Sequence, residues 1–149
     1  MKANPNAGKT LLQLRLASAS ELPAVFDIRK QVFVLEQNVD PDEEYDEFEE
    51  LSTHLIALWD GSAVGTARFR STEKGWKIER MAVLSSFRNR GIGRKLLTLA
   101  LEHLPKDGRP IYLHAQEHAL GFYQSAGFRQ TGHRFYEANI PHFLCILST

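Results

Sequence analysis

The stretch RNRGIG, residues 88–93, follows KIERMAVLSSF and precedes RKLLTLALEHL. The first flank predicts a strand and the second an amphipathic helix, so the glycines lie at a helix start. The first N–H groups of a helix have no partner within it, and they stabilise an anion by about 0.3–2 kcal/mol. Gly91 and Gly93 have no Cβ that would block a phosphate. The positive side chains nearby are Arg88, Arg90, Arg94 and Lys95. The stretch predicts a phosphate or pyrophosphate site, and the alternative is a tight turn with solvated arginines.

Two common nucleotide-binding motifs do not fit this stretch. G-x-x-x-x-G-K-[ST] does not occur, and G-x-G-x-x-G fails because residue 96 is Leu. A dinucleotide-binding unit also stands near the start of a parallel sheet, whereas three strands of hairpin type are predicted before this loop. The loop alone therefore leaves its ligand open.

Composition indicates one globular domain over residues 1–149, with 43% hydrophobic and 24% charged residues. The formal net charge is zero, so we expect neither a nucleic-acid nor a membrane partner. Charge is unevenly spread, because nine of the eighteen acidic residues lie between Glu36 and Glu50. Residues 40–50 form what we call the acidic segment. It predicts either an attraction for a cationic amine or a solvated loop.

Cysteine use and the N-terminal residues predict a cytoplasmic protein without a metal. Cys145 is the one cysteine, so an intramolecular disulfide is impossible, and its apolar strand predicts a core position. His54, His142 and Cys145 have no spacing typical of zinc. Residues 1–10 predict a flexible polar leader without the apolar core of a signal peptide, and no apolar run reaches the length of a membrane span.

The element order predicts a mixed sheet with helices on its faces. Residues 11–17 alternate as a strand does, and a helix is predicted from Glu21, capped by Ser20. Residues 36–51 predict a loop or short exposed helix. The further strands are predicted in 54–72, as a hairpin around Asp60-Gly61, and in 76–83, 110–115, 128–138 and 141–148. The further helices are predicted after the glycine loop and in 117–126, the latter ending at Gly127.

Two motifs together resemble the GCN5-related N-acetyltransferases. R-x-x-G-x-G is similar to the family's [QR]-x-x-G-x-[GA] loop, which binds the pyrophosphate of acetyl coenzyme A. The stretch HALGFYQSAGF resembles the family motif N-x-x-A-x-x-F-Y-x-x-x-G-F, with Gln116 in place of the usual Asn. It matches at Ala119, Phe122, Tyr123, Gly127 and Phe128. IRKQVFVLEQNV, THLIA and EANIPHFL further resemble the small bacterial branch of YjcF- and ElaA-like acetyltransferases.

The resemblance implies a fold and a co-substrate. The fold class is α/β (α+β mixed), with a central, mostly antiparallel sheet of six to seven strands and helices on both faces. The co-substrate is acetyl coenzyme A, without a metal. The implied coenzyme-binding residues are Met81, Ala82, Val83, Arg88, Asn89, Arg90, Gly91, Ile92, Gly93, Arg94, Gln116, Phe122 and Tyr123. A backbone N–H near Ala82–Val83 would bind the thioester oxygen.

Tyr123 and Glu79 are the candidate catalytic residues. Tyr123 matches the family tyrosine that faces the coenzyme sulfur and could protonate the leaving thiolate; the alternative is aromatic packing. Glu79 is the candidate base, because burial could raise its pKa toward neutrality; the alternative is an ion pair with Arg68 or Arg70. His114 or a chain of water molecules are the other candidates for the base.

The resemblance also implies an acceptor wall formed by Phe33, Glu36 and Gln37. The predicted function is N-acetyl transfer to an amine by direct attack, without an acyl-enzyme. A small amine is expected, a protein amine is possible, and the protein is a monomer or homodimer. The alternative is a non-catalytic acyl-CoA-binding or sensing module. The acceptor and the preferred acyl length stay open.

Overall fold

The structure, a computed structural model, describes residues 11–148. The predicted leader, residues 1–10, lies outside that range. The strands are β1 (Leu12–Leu16), β2 (Thr53–Trp59), β3 (Ser62–Thr72), β4 (Gly75–Val83), β5 (Ile111–Gln116), β6 (Phe128–Glu137) and β7 (Ile140–Leu147). The helices are α1 (Leu22–Arg29), α2 (Pro41–Glu44), α3 (Ile92–His103) and α4 (Leu120–Ser125).

The strands form one seven-stranded sheet in the order β1-β2-β3-β4-β5-β7-β6. Among the strand pairs within residues 11–148, only β4–β5 is parallel. Asp60 and Gly61 both have positive φ in the β2–β3 turn, as the hairpin signal predicts. The predicted fold class, a mixed and mostly antiparallel sheet, is confirmed.

Helices cover both faces of the sheet. Successive side chains of a strand point to opposite faces, so one strand can pack against helices on both sides. In β2, Leu55 and Ala57 pack in the cluster that contains α3 residues, while Ile56 packs with Val25 of α1. Cys145 lies in the α3-side core and is fully buried, so its predicted core position is confirmed.

The first helix differs from its prediction at both ends. Its entry is a short 3-10 turn preceded by Ser18, whose N–H donates to the Glu21 carboxylate at 2.9 Å, so the predicted cap at Ser20 is wrong. Beyond Arg29 the helix widens into a π-helix over Lys30–Glu36. A π-helical turn inserts a residue into the helical repeat, which an apolar stripe does not reveal.

Candidate active site

The site lies where β4 and β5 separate. The two parallel strands pair only from Trp76 with Ile111 to Ile78 with Leu113. Residues 79–83 of β4 continue beyond that point, while β5 goes on pairing with β7 on its other side. A gap therefore opens in the middle of the sheet.

A β-bulge in β4 lies where the gap opens. The β3–β4 register shifts between Thr66 and Arg68, which places an extra residue in β4. Arg80 lies in this bulge with φ +55°, which is uncommon for a residue with a Cβ. Because a bulge bends its strand and increases its twist, we attribute the separation of β4 from β5 to it.

The backbone of Val83 faces the gap. The N–H of Leu84 donates to Val64 of β3 at 2.9 Å. Backbone groups of neighbouring strand residues point in opposite directions, so those of Val83 point away from β3. The Val83 carbonyl accepts a hydrogen bond from Nε of Arg88 at 2.9 Å. A backbone N–H near Ala82–Val83 was predicted to bind the thioester oxygen, and the N–H of Val83 is the one that points into the gap.

A cavity of about 600 Å³, here called the loop groove, lies at the start of α3. Gly91 precedes the helix with φ +80°, and a Cβ there would meet no atom within 4 Å. A Cβ at Gly93 would lie 3.6 Å from the Phe122 ring, an ordinary contact, so nothing within the described chain requires glycine there. The predicted coenzyme-binding residues that line the groove are Met81, Val83, Arg88, Asn89, Gly91, Ile92, Gly93, Arg94, Phe122 and Tyr123.

The arginines of the loop are engaged by the chain itself. Arg88 donates two hydrogen bonds to the Glu36 carboxylate, at 2.5 and 2.8 Å. The Arg90 guanidinium lies 4.9 Å from the ring centroid of Trp59, and Arg90 lines neither cavity of the site. Arg94 lines the groove and donates to the hydroxyl of Ser125, the last residue of α4, at 2.7 Å. Arg94 therefore keeps its net charge at the groove, whereas Glu36 neutralises Arg88.

A second cavity of about 600 Å³, here called the α1-side cavity, lies against α1 and the π-helical segment. Phe33, Glu36 and Gln37, the predicted acceptor wall, all line it. Gln37 exchanges two amide hydrogen bonds with Gln116, at 3.2 and 2.9 Å. Gln116 and Ala82, both predicted as coenzyme contacts, line this cavity and not the loop groove.

Tyr123 lines both cavities. Its hydroxyl lies 3.8 Å from the sulfur of Met81, which also lines both. Edge-on contacts with Phe122 and Phe128, at centroid distances of 5.0 and 6.1 Å, hold the ring. Burial raises the pKa of Tyr123 to about 12, so the phenol is protonated near neutral pH and can donate.

Glu79 lies in a cluster of cations. Its carboxylate accepts from Arg68, from Arg70 at 3.2 Å and pairs with Lys77 at 3.1 Å. Burial alone would raise the pKa of Glu79, but the three cations lower it to about 2. The predicted rise in its pKa toward neutrality is wrong, and the alternative of an ion pair with Arg68 and Arg70 is what the structure contains.

The acidic segment is only in part a solvated loop, because five of its eight acidic side chains are exposed and the other three pair with arginines. Arg29 is 1% exposed and donates to Glu44 and Glu49, each at 2.7 Å. Arg68, also 1% exposed, donates to Asp46 at 2.7 Å and to Glu49 at 2.6 Å. The segment forms the single helical turn α2, as predicted, but Glu44 is buried instead of exposed. Three of its carboxylates thus compensate two buried guanidinium groups.

Sequence reasoning missed the partner of His114. Nδ1 of His114 lies 2.5 Å from the carboxylate of Glu137 at the end of β6, and both residues line the α1-side cavity. Burial would raise the pKa of Glu137, but the hydrogen bond from His114 lowers it. β5 and β6 are not neighbours in the sheet, so no strand pattern predicts this pair.

Residues 11–148 contain neither a cluster suited to a metal ion nor a helix suited to a membrane. Within residues 11–148, no group of three or more His, Cys, Asp or Glu side chains is arranged to hold a metal ion. In the same range, no helix has the length and apolar character needed to cross a membrane.

Comparison with known proteins gives consistent matches. A family model described as acetyltransferase (GNAT) domain matches residues 16–144. The uncharacterized N-acetyltransferase YjcF of Bacillus subtilis is 38% identical over 125 residues, which cover 82% of this chain and 89% of that protein. The crystal structure of Escherichia coli ElaA has a TM-score of 0.78 at 27% identity, covering 93% of this chain and 100% of that one. An acyl-CoA N-acyltransferase from Pseudomonas aeruginosa has a TM-score of 0.76 at 29% identity, covering 94% and 100%.

Proposed function

The chain belongs to the GNAT acetyltransferase family, and from this membership we propose that it transfers an acetyl group from acetyl coenzyme A to an amine. One observation carries the proposal: the loop groove and the α1-side cavity both reach Tyr123 at the gap between β4 and β5. Two substrates could thus meet at one point from separate entrances. A pure coenzyme-binding module has no need of the second cavity.

The loop groove supports coenzyme binding. The start of α3 offers free N–H groups, and the open space at Gly91 lets an anion approach them. Arg94 adds a charge that no described carboxylate neutralises. The backbone of Val83, directed into the gap, can bind an extended amide-containing arm as a neighbouring strand would.

The gap supports direct transfer. A neutral amine in the α1-side cavity attacks the thioester carbonyl carbon, and the Val83 N–H is directed to stabilise the oxygen as it gains charge. As the carbon–sulfur bond breaks, Tyr123 donates its proton to the sulfur, and the proton that the nitrogen loses restores the phenol through solvent. Cys145, the one cysteine, is fully buried in the core, which favours a route without an acyl-cysteine.

The first experiment is a thermal-shift titration with acetyl coenzyme A, coenzyme A and ATP. A ligand that binds only the folded state stabilises it by about 2.7 kcal/mol at 100 times its dissociation constant. We expect stabilisation by both coenzymes and none by ATP. No shift with either coenzyme would refute the proposal.

The second experiment measures thiol release from acetyl coenzyme A with putrescine, spermidine, phenethylamine, lysine and a lysine-containing peptide. We expect turnover with at least one amine, and a loss of kcat of about 10²–10⁴-fold in Tyr123→Phe. Tyr136→Phe is the matched control, because Tyr136 is 64% exposed and lines neither cavity. Coenzyme binding without turnover of any amine would favour the non-catalytic module.

A further inference from the structure

The α1-side cavity contains a hydrogen-bonded histidine–carboxylate pair that the functions assigned so far do not use. His114 is the first residue of β5 beyond its last pair with β4, so it stands at the point where the gap opens. Its Nδ1 lies 2.5 Å from the carboxylate of Glu137. His114 is partly buried, and its side chain is 24% exposed toward the cavity that it lines.

His114 and Tyr123 approach the gap from opposite faces of the sheet. Leu113 and Ala115, on either side of His114, pack in the core that contains α3, so His114 points to the α1 face. Tyr123 packs against the α3-side core. A group bound between them would have one titratable side chain on each side.

The hydrogen bond sets the orientation of the imidazole. A carboxylate accepts a hydrogen bond from Nδ1–H, which leaves the lone pair on Nε2. Nε2 of His114 makes no hydrogen bond with any of residues 11–148. The Phe135 ring meets the imidazole edge-on at a centroid distance of 5.0 Å, and the Tyr112 ring lies at 6.0 Å, so neighbouring rings restrict its rotation.

From this geometry we propose that His114 is the proton acceptor for the attacking amine and that Glu137 is the residue that positions it. The inference rests on the proposed function, because it assigns a role within that reaction. Nucleophile activation by a histidine held by a carboxylate is a recurring arrangement in enzymes of unrelated folds.

Several elements bring further charged or titratable groups to the cavity that His114 lines. They are Lys77, Glu79 and Arg80 of β4, His142 of β7, His118 of the turn before α4, Glu36 of the π-helical segment, Glu43 and Glu44 of α2, and Arg88 of the glycine loop. Glu79 is compensated by Arg68, Arg70 and Lys77, so it does not compete for a proton near neutral pH. Glu137 is the one carboxylate of residues 11–148 that is hydrogen-bonded to His114.

The protons balance over one turnover. The neutral amine forms its bond to the carbonyl carbon, and Nε2 of His114 takes the proton that the nitrogen must lose. The carbon–sulfur bond breaks, and the thiolate takes the proton of Tyr123. The imidazolium then returns its proton through solvent to the phenolate. Amine and acetyl coenzyme A give amide and coenzyme A, and both side chains regain their starting states.

The test compares His114→Gln, Glu137→Gln and two controls with the fastest amine of the panel, from pH 5 to pH 9. The controls are His133→Gln and Glu102→Gln, since both residues are exposed and line neither cavity. We expect His114→Gln to lower kcat by about 10²–10⁴-fold with little change in KM for acetyl coenzyme A. The wild-type rate should fall toward pH 5, and His114→Gln should change the shape of this pH profile, whereas His133→Gln should not. Glu137→Gln should lower kcat by a smaller factor.

Chemical rescue separates catalysis from packing. Imidazole should restore activity to His114→Ala, whereas pyrazole, a ring of the same size and much weaker basicity, should not. Equal rescue by both compounds, or an unchanged kcat and pH profile in His114→Gln, would overturn the inference. The thermal shift with coenzyme A is measured on every variant. If the wild type and His114→Gln bind coenzyme A and acetylate the amine equally well, only this inference fails. If the wild type does not bind, the proposed function itself fails.

Discussion

Glu79 illustrates how the effect of burial on a carboxyl depends on what is buried with it. An acid in an apolar strand is expected to have a raised pKa, but three cations converge on this one and lower its pKa to about 2. Relative to its ordinary value of 4.5, the shift corresponds to about 3 kcal/mol of stability. Because the folded-state pKa is the lower one, this stability is present above about pH 4.5 and is lost as the pH falls toward 2.

We therefore predict that Glu79→Gln lowers the free energy of unfolding by about 2–3 kcal/mol at pH 7 and loses less stability than the wild type between pH 4.5 and 2.5. Denaturant titrations at several pH values measure both effects, with Glu73→Gln, an exposed turn residue, as the control. Unchanged stability together with a kcat reduced by at least about 10²-fold would instead restore Glu79 as the base.

The position of a single residue in the site was predictable from the sequence where that residue belongs to a recognisable motif. Tyr123 stands in a motif with Phe122, and the structure places it at the gap. Glu137 has no such context, because its partner is on a non-adjacent strand. Arg29 did give a signal: it follows Val25 by one helical turn, so it stands on the buried side of α1 and needs carboxylate partners.

At the scale of elements, α1 is joined to the acidic segment through Arg29. Removing either member of a buried ion pair leaves the charge of the other member uncompensated. We predict that Arg29→Met lowers the free energy of unfolding by about 3–5 kcal/mol, because Glu44 and Glu49 lose their shared cation. Arg134→Met breaks an exposed pair and should cost less than about 1 kcal/mol.

Adding Glu44→Leu to Arg29→Met removes the most buried of the stranded carboxylates and should recover part of that loss. Denaturant unfolding of the single and double variants measures the recovery. A loss in Arg29→Met no larger than that of Arg134→Met would show that the buried cluster contributes little to stability.

The two glycines at the start of α3 differ in whether the fold requires them. Gly91 needs its positive φ, whereas nothing in the described chain excludes a methyl group at Gly93. We predict that Gly93→Ala keeps the fold, with a free energy of unfolding unchanged or raised by up to about 1 kcal/mol. It should nevertheless weaken coenzyme A binding more than about tenfold, because the methyl group would stand where the phosphate approaches.

Isothermal titration with coenzyme A and denaturant unfolding check the two parts separately. Gly121→Ala is the matched control: it is an exposed helical glycine whose added Cβ meets nothing within 4 Å, and it lines neither cavity. Unchanged coenzyme affinity in Gly93→Ala would mean that the loop groove does not hold the pyrophosphate at the start of α3.

Elements were predictable where local chemistry decides them, and less so where the tertiary structure does. Asp60-Gly61 and Gly127 gave the right turns because positive φ favours those residues. The π-helical segment Lys30–Glu36 was not foreseen, since an inserted residue leaves the apolar stripe almost unchanged. That insertion affects the site directly, because Glu36 and Gln37 at its end line the α1-side cavity.

At the scale of the whole molecule, the sequence predicted a mixed sheet but not its strand order. β7 inserts between β5 and β6, a pairing of distant strands that turn residues do not encode. The gap has the same origin, because it depends on a bulge in β4 and on β5 turning toward β7. The chemistry of the site was therefore readable from motifs, whereas the joining of its two cavities required the structure.

The end of the π-helical segment ties the two cavities together. Glu36 lines the α1-side cavity and holds Arg88, which lines both cavities. The hydrogen bond from Arg88 lowers the pKa of Glu36, so the carboxylate is ionised near neutral pH and offsets the charge of the arginine. An anionic coenzyme that uses Arg88 must compete with Glu36.

We predict that Glu36→Gln strengthens coenzyme A binding by up to about fivefold, since an exposed ion pair is worth up to about 1 kcal/mol. The gain should shrink at high salt, where charges are screened. The same change should raise KM for a cationic amine, because the α1-side cavity loses a negative charge. Isothermal titration gives the first quantity and steady-state kinetics the second, with the exposed Glu50→Gln as the control. Opposite effects on the two ligands would show that one side chain couples both entrances, whereas weaker coenzyme binding would show that Arg88 serves the coenzyme only while Glu36 holds it in place.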